Sequence, residues 1–303
     1  MGFQVVDYDR ALIEGIVSVF NRETAGLPFV VPLTAELFSD QIVAKSLFDP
    51  RGCRIAVEGN RVIGFALACM VRSERVKPEI TEGVIDGVFF PVGRTDAGHA
   101  LIGACMEYLC ERGAKTIWGF ASHGGYPFWR GLYCGAEPVC LTTYVHGWAE
   151  LLAHGFRHHQ QSVNYLGQPG EMPYREDLDY GIEELDLSHP WAAESWRGHR
   201  PKTLVATRDG RRIGHVGFVQ MPHLSCHRRT NVVGIYSFAV DATYRRAGIG
   251  SSLLAKLWET IADLNVQEVL VGTTVENLAA RRTYEKAGMQ VVAARSGVVW
   301  RAA

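Results

Sequence analysis

Two stretches, CRIAVEGNRVIGFALACMV and TLVATRDGRRIGHVGFVQM, each set apolar-rich runs on either side of a short polar turn containing glycine. Two such runs flanking a turn predict a β-hairpin, so one hairpin is expected in each half of the chain. Further along, VVGIYSFAV (Val232–Val240) is a continuous apolar run that predicts a buried strand, and Asp241-Ala242-Thr243 marks its exit. Leu253, Leu254, Leu257, Trp258, Ile261 and Leu264 then recur at three- and four-residue spacing, which predicts a helix with one apolar stripe against a sheet. The next strand is expected over 266–275. Asn277 stands where it can cap a second helix, and Gly288 where a left-handed residue would end it.

The two halves echo one another. Asn60-Arg-Val-Ile-Gly64 matches Gly210-Arg-Arg-Ile-Gly214, and Gly98-His-Ala100 matches Gly248-Ile-Gly250, both at an offset of 150 residues; Cys134-Gly135-Ala136 matches Ala287-Gly288-Met289 at an offset of 153. Equal order and near-equal spacing predict a duplicated α/β unit. A polar stretch containing GQPGEMPYRED marks the join, with domains expected at 1–150 and 179–303 and a linker over 151–178.

Composition agrees with two soluble domains: 303 residues, 47% hydrophobic and 21% charged, exceed the usual size of a single core. A net charge of −1 gives no basic footprint for nucleic acid, and no apolar run is long enough for a bilayer span. The N-terminal MGFQVVDYDR has no signal-peptide pattern, and the expected location is cytoplasmic. Seven cysteines without any CxxC pair argue against a disulfide framework or zinc knuckle. His223, Cys226 and His227 crowd one loop, as do His154, His158 and His159, but neither group supplies a full ligand set and no metal is expected.

DATYRRAGIGSSLLAKLW, at 241–258, places two arginines and two glycines directly before the predicted helix. A strand end, a tight turn and a helix start bring several unpaired backbone N–H groups around one point, where the helix dipole also favours negative charge. Gly248 and Gly250 leave that backbone open, and Arg245 and Arg246 add positive charge, so a pyrophosphate would fit. The Lys-Ser/Thr of a Walker A loop is missing, as is the third glycine of a Rossmann fingerprint.

Val240-Asp-Ala-Thr-Tyr-Arg245-Arg-Ala-Gly248-Ile-Gly250, followed after a strand by Asn277-Leu-Ala-Ala280-Arg-Arg-Thr-Tyr284-Glu-Lys-Ala-Gly288-Met289, resembles the GNAT superfamily of acyl-CoA-dependent N-acyltransferases. The resemblance covers about the last hundred residues, and the first half is similar only faintly. It implies two GNAT-like α/β domains, each a mixed central sheet flanked by helices, the first of them degenerate. By that resemblance Arg245, Arg246, Ala247, Gly248, Ile249 and Gly250 hold the pyrophosphate of acetyl-CoA, and Ser251 beside them also contacts the cofactor. Phe238, Ala239 and Val240 offer backbone to the pantetheine arm and the thioester oxygen, Asn277 steadies the pantetheine side, and Tyr284 protonates the departing thiolate.

Many relatives carry a carboxylate general base on the strand before the Arg/Gly turn, whereas 232–240 contains none. Tyr236, sharing a strand face with Phe238 and Val240 by alternation, is one candidate to relay the proton, with core packing the competing role; Glu276 is the nearest carboxylate, with a helix-dipole role competing. In the first half Arg94-Thr95-Asp96-Ala-Gly98-His-Ala100 replaces the arginine pair by Thr and Asp, and Gly124 and Gly131 fall opposite Asn277 and Tyr284, with Tyr126 and Tyr133 nearby as stand-ins. The reading is an acetyltransferase acting by direct attack of a primary amine of a small acceptor on acetyl-CoA, as a monomer or homodimer without nucleic-acid or membrane partners. The alternative is a non-catalytic acyl-CoA-binding module.

Overall fold

The structure is a computed structural model that describes residues 2–71, 82–119, 128–133, 143–188 and 190–302. In chain order it contains β1 (Gln4–Asp7), α1 (Ile13–Glu23), α2 (Ala35–Phe38), β2 (Cys53–Glu58), β3 (Arg61–Met70), β4 (Glu82–Phe89), α3 (Thr95–Glu111) and β5 (Thr116–Gly119). Next come α4 (Arg130–Tyr133), α5 (Val145–Ala153), β6 (Arg157–Gly167), β7 (Asp179–Glu184) and α6 (Pro190–Ser195). The remainder comprises β8 (Lys202–Arg208), β9 (Arg211–Gln220), α7 (Pro222–Arg228), β10 (Val232–Val240), α8 (Ile249–Thr260), β11 (Glu268–Thr274), α9 (Leu278–Lys286) and β12 (Gln290–Arg301). No helix among the described residues is long and apolar enough to cross a membrane.

Two compact units divide the chain. One comprises Met1–Arg130, Glu137–Gln161 and Arg295–Ala303, the other Gly131–Ala136 and Ser162–Ala294. In the first, β1, β2, β3 and β4 pair antiparallel in succession, β4 pairs parallel with β5, and residues 298–301 of β12 pair antiparallel with β5. In the second, β7, β8, β9 and β10 follow the same antiparallel succession, β10 pairs parallel with β11, and residues 162–167 of β6 pair antiparallel with β11. The duplicated unit read from the sequence is thus a duplicated strand order.

The stretch 151–178 carries the end of α5 and all of β6. Polar composition hid this strand: most of RHHQQSVNYLG remains at least partly exposed, so few positions needed to be apolar. After Gly167, the last residue of β6, the GQPGEMPYRED stretch has no helix or strand before β7 begins at Asp179.

Both expected hairpins form, as β2–β3 and β8–β9. At the second, Asp209 and Gly210 have φ of 52° and 72°, and left-handed residues at both central positions give a turn whose twist matches the strands. Leu253, Leu254 and Leu257 on α8 are fully buried against Ile213, Val216, Val233 and Ile235 of the sheet, as the apolar stripe requires. Leu264 departs from that stripe, because the helix gives way after Thr260 to a short turn in which it is exposed. The strand expected over 266–275 is shorter at both ends.

Each unit has a bulge in the strand before its glycine turn. Ile235 and Ser237 face consecutive β9 residues, Phe218 and Gly217, so Tyr236 is an extra residue; Asp86 is extra in the same way between Ile85 and Gly87. The two bulges lie at the same offset of 150 residues.

Candidate active site

The parallel pairing of β10 with β11 ends at Ile235–Val271, although β10 continues to Val240 and β11 to Thr274. From the bulge onward the β11-facing edge of β10 therefore has no strand partner among the described residues, and its backbone groups are available to an extended ligand lying alongside. The bulge causes this divergence, since an extra residue bends the strand and increases its twist.

The glycine turn begins where the lane ends. Asp241 accepts from the Thr243 N–H at 2.9 Å and closes a short turn; Arg246 at φ 65° and Gly248 at φ 80° then take left-handed conformations. Among the described residues no acceptor is found for the N–H groups of Arg246, Ala247, Gly248, Ile249, Gly250 and Ser251, while the Ser252 N–H enters the helix ladder at Gly248 O, 3.0 Å away. A Cβ at Gly248 would meet nothing within 4 Å, and one at Gly250 would meet Phe238 Cζ at 3.6 Å and Thr283 Cγ2 at 3.7 Å. This is an open cradle of donors suited to an anion.

The arginines divide the work. Arg245 donates from Nε to Val240 O at 3.1 Å and ties the strand end to the turn, whereas Arg246 has no side-chain partner among the described residues and stands exposed. Arg175, absent from the sequence reading, donates to Ala247 O at 2.6 Å and, through its own N–H, to Ser252 Oγ at 2.8 Å. It thereby fixes the turn's carbonyl away from the donors. No local motif marks this role of Arg175, because Ala247 and Ser252 lie over seventy residues away in sequence, and its nearby partner Asp177 gives no sign of the turn.

On α9, Asn277 caps the helix by accepting from the Ala280 N–H at 3.2 Å, and Gly288 at φ 76° terminates it. Tyr284, with 2% exposure, packs its ring against Phe238 at 5.9 Å and Tyr165 at 5.4 Å. Burial, followed by the nearby Tyr165, raises its phenol well above the ordinary tyrosine value. Glu276 is exposed and makes no side-chain hydrogen bond or ion pair among the described residues.

Tyr236 corrects an expectation. Phe238 and Val240 pack on the core side with α8, but the bulge interrupts the alternation and turns Tyr236 to the opposite face. There its ring would touch a Cβ at Gly217 at 2.5 Å and packs on Trp196 at 4.9 Å, while its hydroxyl donates to Lys202 O at 3.2 Å and meets Thr203 Oγ1 at 3.1 Å. On that same face lies a pair the sequence reading missed: His215 Nε2 is 2.9 Å from Ser237 Oγ, the first residue after the bulge. Burial, and secondarily Arg212, lowers the His215 pKa, with Glu183 opposing.

In the first unit the corresponding places are covered by the protein itself. A Cβ at Gly98 would lie 2.4 Å from the Phe90 ring, and the Ala97 and Gly98 N–H groups both donate to Arg94 O. Trp129 Nε1 donates to Asp86 O at 2.7 Å, and Phe90 offers its N–H to Tyr144 Oη at 3.1 Å. Arg94 is engaged by Asp96 at 3.0 and 3.2 Å. The residues opposite Asn277 and Tyr284 fare differently: Gly131 and Tyr133 are buried in α4, in the short segment that belongs to the second unit, whereas Gly124, Tyr126 and the Cys134–Ala136 echo lie outside the described residues.

Residues 170–289 match the family model described as Acetyltransferase (GNAT) family. Residues 170–289, within the second unit, thus carry a GNAT-family domain. No curated protein matches the sequence. Among solved structures, a GCN5-related glucosamine N-acetyltransferase region of a fungal multi-domain GH3 β-N-acetylglucosaminidase superposes with a TM-score of 0.71 at 15% identity, over 98% of this chain and 38% of that one. The chain thus spans well under half the length of that fungal protein. A tandem GNAT protein of the clavulanic acid biosynthesis pathway gives a TM-score of 0.66 at 13% identity, over 99% of both chains. A GCN5-related N-acetyltransferase from Sphaerobacter thermophilus gives 0.64 at 13%, over 99% of this chain and 95% of that one. The fold is that of a tandem GNAT protein, each unit carrying one copy.

Proposed function

We propose that the second GNAT unit transfers an acetyl group from acetyl-CoA to a primary amine of a small acceptor by direct attack, and that the first unit is a degenerate copy without a CoA site. The observation carrying this reading is the run of six backbone N–H groups from Arg246 to Ser251 that find no acceptor among the described residues, at the end of a strand edge with no partner strand among them. GNAT proteins generally use acetyl-CoA, and the cradle fits its pyrophosphate. Arg246 adds charge there, and Gly248, Ile249 and Gly250 present main chain to it. Phe238, Ala239 and Val240 would pair with the pantetheine arm along the open edge, with Asn277 across from them. When bound, acetyl-CoA supplies an activated acetyl group as a thioester.

The chain's own residues would move two protons. The amine nucleophile must lose one, and burial, followed by Arg212, lowers the His215 pKa, which favours the neutral form a base needs. In the tautomer protonated at Nδ1, Nε2 accepts from Ser237 Oγ, so a proton taken up by that hydroxyl passes on to the imidazole. Tyr284 would donate the other proton to the departing thiolate. His215 here takes the role considered for Tyr236 and Glu276, since the Tyr236 hydroxyl is engaged by Lys202 O and Thr203 and Glu276 is exposed.

Calorimetry with CoA is expected to give one site per chain, lost on Arg246→Glu and retained on Asp96→Asn. Two equivalent sites would refute the degenerate first unit. Release of CoA with an amine panel separates catalysis from a purely binding module, which would bind without turnover across the panel.

A pH profile tests His215. A base works deprotonated, so kcat/KM should rise with pH through an acid limb whose midpoint lies below the ordinary imidazole value of about 6.5. His215→Gln should lower the plateau and abolish that limb. An unchanged limb would remove His215 from the proton path. Arg212 and Glu183, whose charges bear on the imidazole and which lie 3.5 Å from each other, should shift the midpoint when neutralised, Arg212→Gln upward and Glu183→Gln downward.

A further inference from the structure

The geometry points to a divalent-cation site of the zinc class in the first unit, formed by His99, Glu150 and His154. His99 lies in the opening turns of α3, and Glu150 and His154 stand four residues apart at the end of α5, on one face of that helix. One ligand atom from each lies within 4.8 Å of the others. The run His154, His158, His159 does not gather as a cluster: His158 bonds Ser296 at 3.2 Å and His159 packs on Trp118, while His154 alone turns to His99.

His154 is prepared as a ligand. Its Nδ1 lies 2.9 Å from the Glu150 main-chain oxygen, and a carbonyl only accepts, so Nδ1 carries the proton and Nε2 keeps its lone pair. That Nε2 is buried and has no hydrogen-bond partner. A second hydrogen bond fixing the tautomer is how histidine ligands are held. His99 Nδ1 is 3.7 Å from Glu150 Oε2, and the two imidazole rings lie 4.1 Å apart, tilted by 37°.

A buried unpaired nitrogen costs stability in the free protein, and a cation beside it removes that cost. Two imidazoles and one carboxylate suit a borderline cation with one position left open, as in three-ligand zinc sites, and are a poor set for calcium or magnesium, which take oxygen ligands. The bound ion would tie α3 to α5. Among the described residues of the second unit no similar group is found: the residue at the offset of 150 from His99 is Ile249, buried in its core.

The test uses the untagged full chain stripped with chelator, titrated with Zn²⁺ by calorimetry and with Co²⁺ by visible absorption. One equivalent is expected, with the intense Co²⁺ bands of a four- or five-coordinate site and a rise in Tm on adding Zn²⁺. His99→Gln and Glu150→Gln should each weaken binding by more than about 100-fold and remove the Tm rise. The His99 side chain is 65% exposed, so its replacement leaves folding intact and carries the test should His154→Gln fail to fold. His223→Gln, on the other histidine-rich segment, should change nothing. Absence of binding, or a stoichiometry and affinity unchanged in both the His99 and Glu150 variants, overturns the proposal, and loss confined to His223→Gln moves the site to α7.

Discussion

Tyr284→Phe is expected to lower kcat about 100-fold, equivalent to about 2.7 kcal/mol, with the affinity for acetyl-CoA nearly unchanged. The ring is buried between Phe238 and Tyr165, and phenylalanine fills the same space, so Tm should move little. Only the proton source for the leaving thiolate is lost, and an interaction made in the transition state alone appears in kcat rather than in ground-state binding. Because burial raises the phenol's pKa, Tyr284 keeps its proton beyond pH values of about 10, where an ordinary tyrosine loses it, and kcat should show no alkaline limb from this residue below that range. Undiminished kcat in Tyr284→Phe, measured where chemistry limits turnover, would assign Tyr284 to packing and leave water as the acid.

Gly250→Val and Gly98→Val should fail in opposite ways. At Gly250 a Cβ makes only ordinary contacts with Phe238 and Thr283, so the variant should fold; its branched side chain would crowd the donors of the cradle, and CoA affinity should fall about 30-fold, near 2 kcal/mol. At Gly98 the Cβ would stand 2.4 Å from the Phe90 ring inside the packed first unit. Overpacking of that kind costs about 1–3 kcal/mol, so Gly98→Val should lower Tm while the folded fraction binds CoA normally. Isothermal titration and thermal unfolding on both variants distinguish the two effects. A loss of CoA affinity on Gly98→Val, corrected for folded fraction, would mean that the first unit holds a phosphate after all.

Much of the second unit was written locally. The hairpin, the strand Val232–Val240, the stripe on α8, the Asn277 cap and the Gly288 terminus each follow from near neighbours in the chain, because backbone hydrogen bonding and apolar periodicity act over a few residues. The duplication was equally legible, since equal spacing survives where residue identity does not. Covering of the first unit's turn by Phe90 was not, although Asp96 already argued against phosphate there; the sequence carries no sign that an aromatic ring lies on Gly98.

What the tertiary structure decided were the relations between distant residues. A single extra residue at Tyr236 inverted its face and opened the lane beside β11, and periodicity cannot reveal a bulge that depends on how β9 registers against β10. His215 met Ser237 across that same pairing, Arg175 reached Ala247 from more than seventy residues away, and His99 came to face His154 through the packing of α3 on α5. The sequence by itself determined the apolar elements around the glycine turn, their duplication and the turn itself, because those are local energies, whereas the polar β6 left no such signal. Which side chains share a site was decided by strand register and helix packing, which balance contacts between segments far apart in the chain and leave no local signature.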